Sequence, residues 1–302
     1  MIGEKGLIKN KQKENDLLID KFLKEEKRME RQILQMKVTP PQIAPDIIER
    51  QRLIKEISRG LETEEGFNHQ LTLISAPAGF GKTSLLASYY GQIERAACWL
   101  TLAEEDNSTS NLLLYLTAAI RQVEEGFAQG IEGSLQNAAG FNDNNSEEVR
   151  LEILTRLLNE LLELEQSIYL LIDELQEIDS EAAHELLTYL IDNLPSGVHI
   201  IAAGREMPSW PINRWRVEGK VRTIGQRELK FTQEETNEFL QQRGRKVSFS
   251  ICEVLTARTE GWIVGLQLLS LLPSNLSVDE VEEMELPQEE NYMFDYLLEE
   301  VL

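Results

Sequence analysis

From Leu71 to Ser84 an apolar segment, Leu-Thr-Leu-Ile-Ser, runs into the turn Ala76-Pro77-Ala78-Gly79-Phe80-Gly81 and then into Lys82, Thr83 and Ser84. Residues of these types in this order suit a nucleoside triphosphate. Gly79 and Gly81 let the main chain curl so that successive N–H groups face phosphate oxygens, and Lys82 brings a cation to the β- and γ-phosphates. The Thr83 hydroxyl can join a Mg²⁺ shell, and a helix starting here adds its leading amides to the same anion. Ala76 stands where such loops usually carry a first glycine; that position opens the turn and need not touch phosphate.

A triphosphate site needs a second arm that holds the metal and orients water. Ser167-Ile-Tyr-Leu-Leu-Ile-Asp-Glu174, an apolar run ending in two acids, supplies it about ninety residues further on. Asp173 is expected to hold Mg²⁺ through water. Glu174 is expected to be the base that polarises the attacking water, because transfer of a phosphoryl group to water asks little else of a protein.

The elements that must position these residues follow from the rest of the chain. Its 302 residues suffice for one substantial core and a smaller one. With 30 Lys and Arg against 52 Asp and Glu, the formal net charge is −22. That field repels polyanions, so direct DNA binding by this chain is not expected, and a phosphate site must be a local exception built from backbone dipoles and a few cations. Two cysteines, Cys98 and Cys252, lie in apolar surroundings and read as core. The histidines, His69, His184 and His199, have no metal-ligand spacing. No apolar run reaches bilayer length and no leader-like segment opens the chain, which suggests a cytoplasmic protein without membrane contact.

Residues 1–36 read as a charged N-terminal extension, and prolines 40, 41 and 45 then break any helix. An amphipathic helical pattern begins at Ile47. Strand-like runs at 71–75, 96–102, 168–172, 198–203 and 221–224 alternate with helical patterns at 111–124, 147–164 and 181–194. This alternation predicts an α/β fold over 37–228, a P-loop NTPase three-layer sandwich with a mainly parallel sheet and its ligand at the carboxyl ends of the strands. After Phe231 the strand signals stop. Thr232 and Glu235 form a Thr-x-x-Glu capping box, and the helical patterns that follow predict a small all-helical domain over 229–275. Residues 276–290 read as an acidic linker. The amphipathic run from Tyr292 to Leu302 reads as the start of a truncated next domain.

Taken in order, these runs resemble the LuxR-type large ATP-binding transcriptional regulators, the MalT-like signal-transduction ATPases with numerous domains. The resemblance is carried by Ile43 to Leu53 with Arg50 and Arg52, by Ser75 to Thr83, by Trp99-Leu-Thr-Leu with Glu104-Glu-Asp-Asn107, and by Ile172 to Ile178. Gly204-Arg205, Leu229 to Glu235, Thr259-Glu-Gly-Trp262 and Phe294 to Glu300 extend it. It implies that Arg205 senses the γ-phosphate end of the site, with Arg216 a weaker candidate, and that Arg50 and Arg52 line the adenine and ribose side. Trp99 and Trp262 are read as core. The chain departs from the family at Ala103 and Gln176, where Asp and His are common, and at Glu174, where a second Asp is common.

The resemblance implies an ATP-binding regulatory switch module with Mg²⁺ and slow hydrolysis, lacking the sensor repeats, winged-helix and DNA-binding domains. Its partners would be ATP and ADP, together with other domains of a regulator or further copies of itself. Two alternatives stay open: a stand-alone turnover ATPase, and a pseudo-ATPase that binds partners through its acidic surface.

Overall fold

The computed structural model describes residues 35–44, 46–128, 146–245 and 247–270. Most of the N-terminal extension, the acidic linker and the run from Tyr292 to Leu302 lie outside the described residues. Helix α1 (Gln51–Ser58) leads through a two-strand ribbon, β1 (Glu62–Thr63) and β2 (Gly66–Phe67), to β3 (Leu71–Ser75). Then come α2 (Lys82–Tyr90), β4 (Ala96–Thr101), α3 (Thr109–Ile120), α4 (Ser146–Leu162), β5 (Ile168–Asp173), α5 (Glu181–Asp192), β6 (Val198–Gly204), α6 (Ile212–Val217) and β7 (Val221–Gly225). Four helices close the described chain: α7 (Gln226–Leu229), α8 (Gln233–Gln242), α9 (Phe249–Arg258) and α10 (Ile263–Leu269).

Strands β3 to β7 form a five-stranded sheet in the order β4-β5-β6-β3-β7, every neighbour pair parallel. The sheet is covered on both faces, as parallel sheets are. Alternation along the strands divides the side chains between the two sides. Leu71, Leu73, Leu100, Leu170, Ile172 and Ile200 face a layer containing α3, α4, α5 and α6. Ile74, Trp99, Tyr169, Leu171, Ile201 and Ala203 face α1 and α2. The expected α/β three-layer architecture is therefore present, with α8, α9 and α10 gathered on a third cluster around Phe231, Phe239, Leu255 and Leu266.

Local chemistry explains the joints. The Thr232 hydroxyl accepts from the Glu235 N–H at 3.2 Å, and Glu235 Oε2 accepts from the Thr232 N–H at 2.9 Å, closing the predicted capping box at the head of α8. Helix α3 stops at Ile120, four residues before the expected end at Glu124. Arg121 is turned back there, and its guanidinium donates to Phe127 O and Ala128 O, both at 2.7 Å.

The pairing of β3 with β6 also brings two of the scattered histidines together. His199 is fully buried, its Nδ1 donating to His69 O at 2.7 Å, so its Nε2 accepts from the Thr72 hydroxyl at 3.0 Å. The rings of His69 and His199 are 5.0 Å apart. Burial pushes His69 down to about 4 and His199 to about 3, with the positive charge of Arg222 acting in the same direction. The unfolded chain therefore binds more protons than the native one between those values and the ordinary histidine range. Stability contributed by the neutral pair is complete above about pH 6.5 and is lost as the pH falls toward 4. Urea denaturation is expected to show a loss of about 2–3 kcal/mol between pH 7.5 and 5.5. A flat profile over that interval would contradict the buried neutral pair.

Candidate nucleotide-binding site

Strand β3 ends at Ser75, and the chain turns through Ala76–Gly81 before α2 begins at Lys82. Gly79 and Gly81 have φ of +79° and +71°, the left-handed region where a side chain is strained. No side chain caps α2 and no acid lies in its first turn, so its leading amides face the loop. Lys82 Nζ donates to Pro77 O at 2.9 Å, folding the ammonium back over the turn.

Strand order sets what stands opposite. In the sheet β6 separates β3 from β5, and the carboxyl ends of all three open on the same edge. Asp173, the last residue of β5, is 2% exposed and accepts a hydrogen bond from the Thr83 side chain. Burial pushes its carboxyl above the usual range, while the Thr83 hydrogen bond and the nearby Lys82 charge oppose the shift. A buried carboxylate joined to a hydroxyl beside a phosphate-type loop is the oxygen donor set that a hard divalent cation takes, and a cation there would favour the ionised form. The residues present fit Mg²⁺ with a nucleotide.

Glu174 is half-buried and left-handed, with φ 58° and ψ 41°, a conformation costing a non-glycine residue roughly 1–2 kcal/mol. It swings the chain from β5 into a 3₁₀ turn, Leu175–Glu177. Gln176 on that turn donates its amide to Glu174 Oε2 and accepts the main-chain N–H of Arg205 at 3.1 Å. Arg205 itself is exposed and follows the internal strand β6 immediately, as expected. Arg216 is turned to Thr223 Oγ1 at 3.1 Å, Arg214 to Asp192, and Arg222 to Glu56 O.

The turns after β4 and β5 are joined by the side chain of Asn107, which the resemblance included without assigning it a role. Asn107 Nδ2 donates to Glu104 O and Glu177 O, and its Oδ1 accepts from the N–H groups of Asp179 and Ser180, both at 2.8 Å. Beside it, Lys37 donates to Asp106 at 2.7 Å and Glu105 at 2.9 Å, holding the stretch before α1 against this edge.

Arg50 and Arg52 are occupied by main chain. Arg50, 5% exposed, donates to Phe80 O in the loop and to Leu229 O and Lys230 O where the helical segment begins. Arg52 donates to Glu228 O and Lys230 O and pairs with Glu235 at 3.2 Å. Arg50 thus ties the loop, and Arg52 ties α1, to the segment where α7 leads into α8. Trp262 packs, partly buried, against the core cluster that holds Ile74, Trp99 and Leu171. Trp99 is fully buried in the core, whereas the Trp262 indole N–H donates to Ala78 O at 3.0 Å. A Cβ on Gly79 would lie 2.5 Å from Trp262 Nε1 and 2.7 Å from Val264 Cγ2, and one on Gly81 would lie 2.9 Å from Ile263 Cδ1. The loop glycines are thus needed twice, for their φ and for the helical segment seated against them.

The family model for the AAA ATPase domain matches residues 47–202, slightly more than half of the chain and the stretch that carries both arms of this site. The chain belongs to the AAA ATPase domain family. It is also similar to the HTH-type transcriptional regulator MalT of Yersinia pestis (strain Pestoides F), with 27% identity over 273 residues, 89% of this chain and 29% of that protein. MalT of Yersinia enterocolitica serotype O:8 is likewise 27% identical, over 277 residues and the same shares. This AAA ATPase domain chain therefore spans under a third of the length of the curated relatives it matches, and its likeness is to their ATPase portion. Among solved structures, the Thermotoga maritima RuvB Holliday junction branch migration motor superposes with a TM-score of 0.44 at 15% identity, covering 81% of this chain and 71% of that one. The Aeropyrum pernix ORC1 protein in complex with DNA gives 0.45 at 14% identity, covering 79% and 65%. Nucleotide binding goes with the AAA ATPase domain, and among the described residues no helix is long and apolar enough to cross a membrane.

Proposed function

We propose that this AAA ATPase domain chain is the nucleotide switch of a MalT-like, LuxR-type regulator in the cytoplasm, binding Mg·ATP, hydrolysing it slowly and holding ADP. The observation that carries the reading is the seating of Trp262, Ile263 and Val264 on the phosphate loop. With that contact, the state of the loop and the position of the helical segment depend on each other, which is what a switch requires.

In this reading the loop Ala76 to Ser84 wraps the phosphates with main-chain N–H groups, and Lys82 leaves Pro77 O to neutralise the β/γ end. Thr83 and Asp173 would hold Mg²⁺, which would supply charge neutralisation to the phosphates. Glu174 orients a water and accepts its proton. Arg205 reads whether a third phosphate is present. Arg50 and Arg52 act on the nucleotide side indirectly, through Phe80 and the start of the helical segment. Other domains of a regulator, or further copies of the chain, would receive the output.

Single-turnover hydrolysis followed by rapid gel filtration tests the proposal. The expected result is one slow round of hydrolysis with ADP retained on the protein. Sustained turnover would replace the switch by a stand-alone ATPase, and no nucleotide affinity would replace it by a pseudo-ATPase.

A further inference from the structure

We propose that Gln176 is a positioning residue that sets the Glu174 carboxylate and ties it to the loop carrying Arg205. This rests on the reading of Glu174 as the base. Three facts of geometry meet at this side chain. Its amide N–H₂ donates to Glu174 Oε2, with a longer approach of 3.4 Å to Glu177 Oε1, and its carbonyl oxygen accepts the Arg205 N–H at 3.1 Å. The left-handed conformation of Glu174 turns the chain so that residue 176 comes back toward the end of β6. Gly204 makes the approach possible: a Cβ there would stand 3.1 Å from Leu175 Cβ and 3.6 Å from the Gln176 main-chain nitrogen.

An amide is suited to this place because it donates at one end and accepts at the other. Bound to Oε2, it stops the carboxylate from rotating and leaves Oε1 to accept from water. Bound to Arg205 N–H, it makes that orientation depend on where the chain leaves β6. A base whose direction is fixed by a neighbour loses rate when the neighbour goes, while the nucleotide, held elsewhere, keeps its affinity. Alanine and glutamate separate the two ends of the link. Gln176→Ala removes both bonds. Gln176→Glu keeps an acceptor for Arg205 N–H and sets a carboxylate against Glu174.

In the full chain, Gln176→Ala is expected to lower the single-turnover hydrolysis rate roughly 10- to 100-fold with the Kd for ATP changed less than about twofold. Amide hydrogen exchange at Arg205, measured without nucleotide, is expected to quicken about tenfold in Gln176→Ala and to stay near wild type in Gln176→Glu, whose single-turnover rate falls as well. Added to Glu174→Gln, the alanine change should cause no further loss of rate. The inference is overturned by unchanged Arg205 exchange in Gln176→Ala, by an unchanged single-turnover rate in both variants, or by a rate loss that simply multiplies with that of Glu174→Gln. A Glu174→Gln variant that hydrolyses ATP at the wild-type rate would overturn the base reading instead, and Arg205 exchange would still decide whether Gln176 makes the link.

Discussion

Glu174→Gln is expected to bind Mg·ATP with nearly unchanged affinity and to hydrolyse it at least about 100-fold more slowly in a single turnover. The substitution keeps the length and shape of a side chain that follows β5 in a left-handed turn, and a glutamine oxygen there can still accept from Gln176. What it cannot do is take a proton from water. Asp173, one residue earlier and 2% exposed, keeps its hydrogen bond from Thr83, so the metal arm is left in place. Rapid-quench measurement of ADP formation from saturating ATP checks the rate, and calorimetry checks the affinity. Equal rates in the two proteins would mean that Glu174 serves only to turn the chain.

Lys82→Ala is expected to reduce Mg·ATP binding below detection by titration calorimetry. The variant loses a charge-assisted contact worth about 2–4 kcal/mol, roughly thirty- to several-hundredfold in Kd. Apart from Arg205, the phosphate donors proposed for the site are main-chain amides, and the protein as a whole carries −22. Folding should be little affected, because the Lys82 ammonium donates to Pro77 O near the surface. An unchanged melting curve with normal ATP affinity would remove Lys82, and with it the phosphate loop, from the site.

Much of this was legible because the chemistry is contiguous. Binding a phosphate chain demands glycine, lysine and threonine side by side, and strand β5 must be apolar on both faces before it ends in Asp173. The capping box of Thr232 and Glu235 is equally local. Residues whose roles depend on the pairing of distant strands were not legible. Asn107 and Gln176 become connectors only once β4, β5 and β6 lie side by side. His69 and His199, 130 positions apart, touch because β3 pairs with β6. Arg50 and Trp262 carry no local mark of their partners, since an arginine that binds main-chain carbonyls and an indole that binds Ala78 O answer to backbone shape alone. The ends of α3 and the short ribbon of β1 and β2 escaped for a related reason, because two-residue strands and frayed helix ends leave little periodicity to read.

The seat of Trp262 on Ala78 and Gly79 also has a thermodynamic consequence. Every ligand that reshapes the phosphate loop must act on the indole as well, so the binding free energy of the nucleotide includes the free energy of moving α10 and whatever is attached to it. By reciprocity, a force or partner that shifts α10 changes nucleotide affinity by the same factor, without touching a phosphate. Nucleotide dissociation constants measured on this chain thus double as a gauge of load on its helical end.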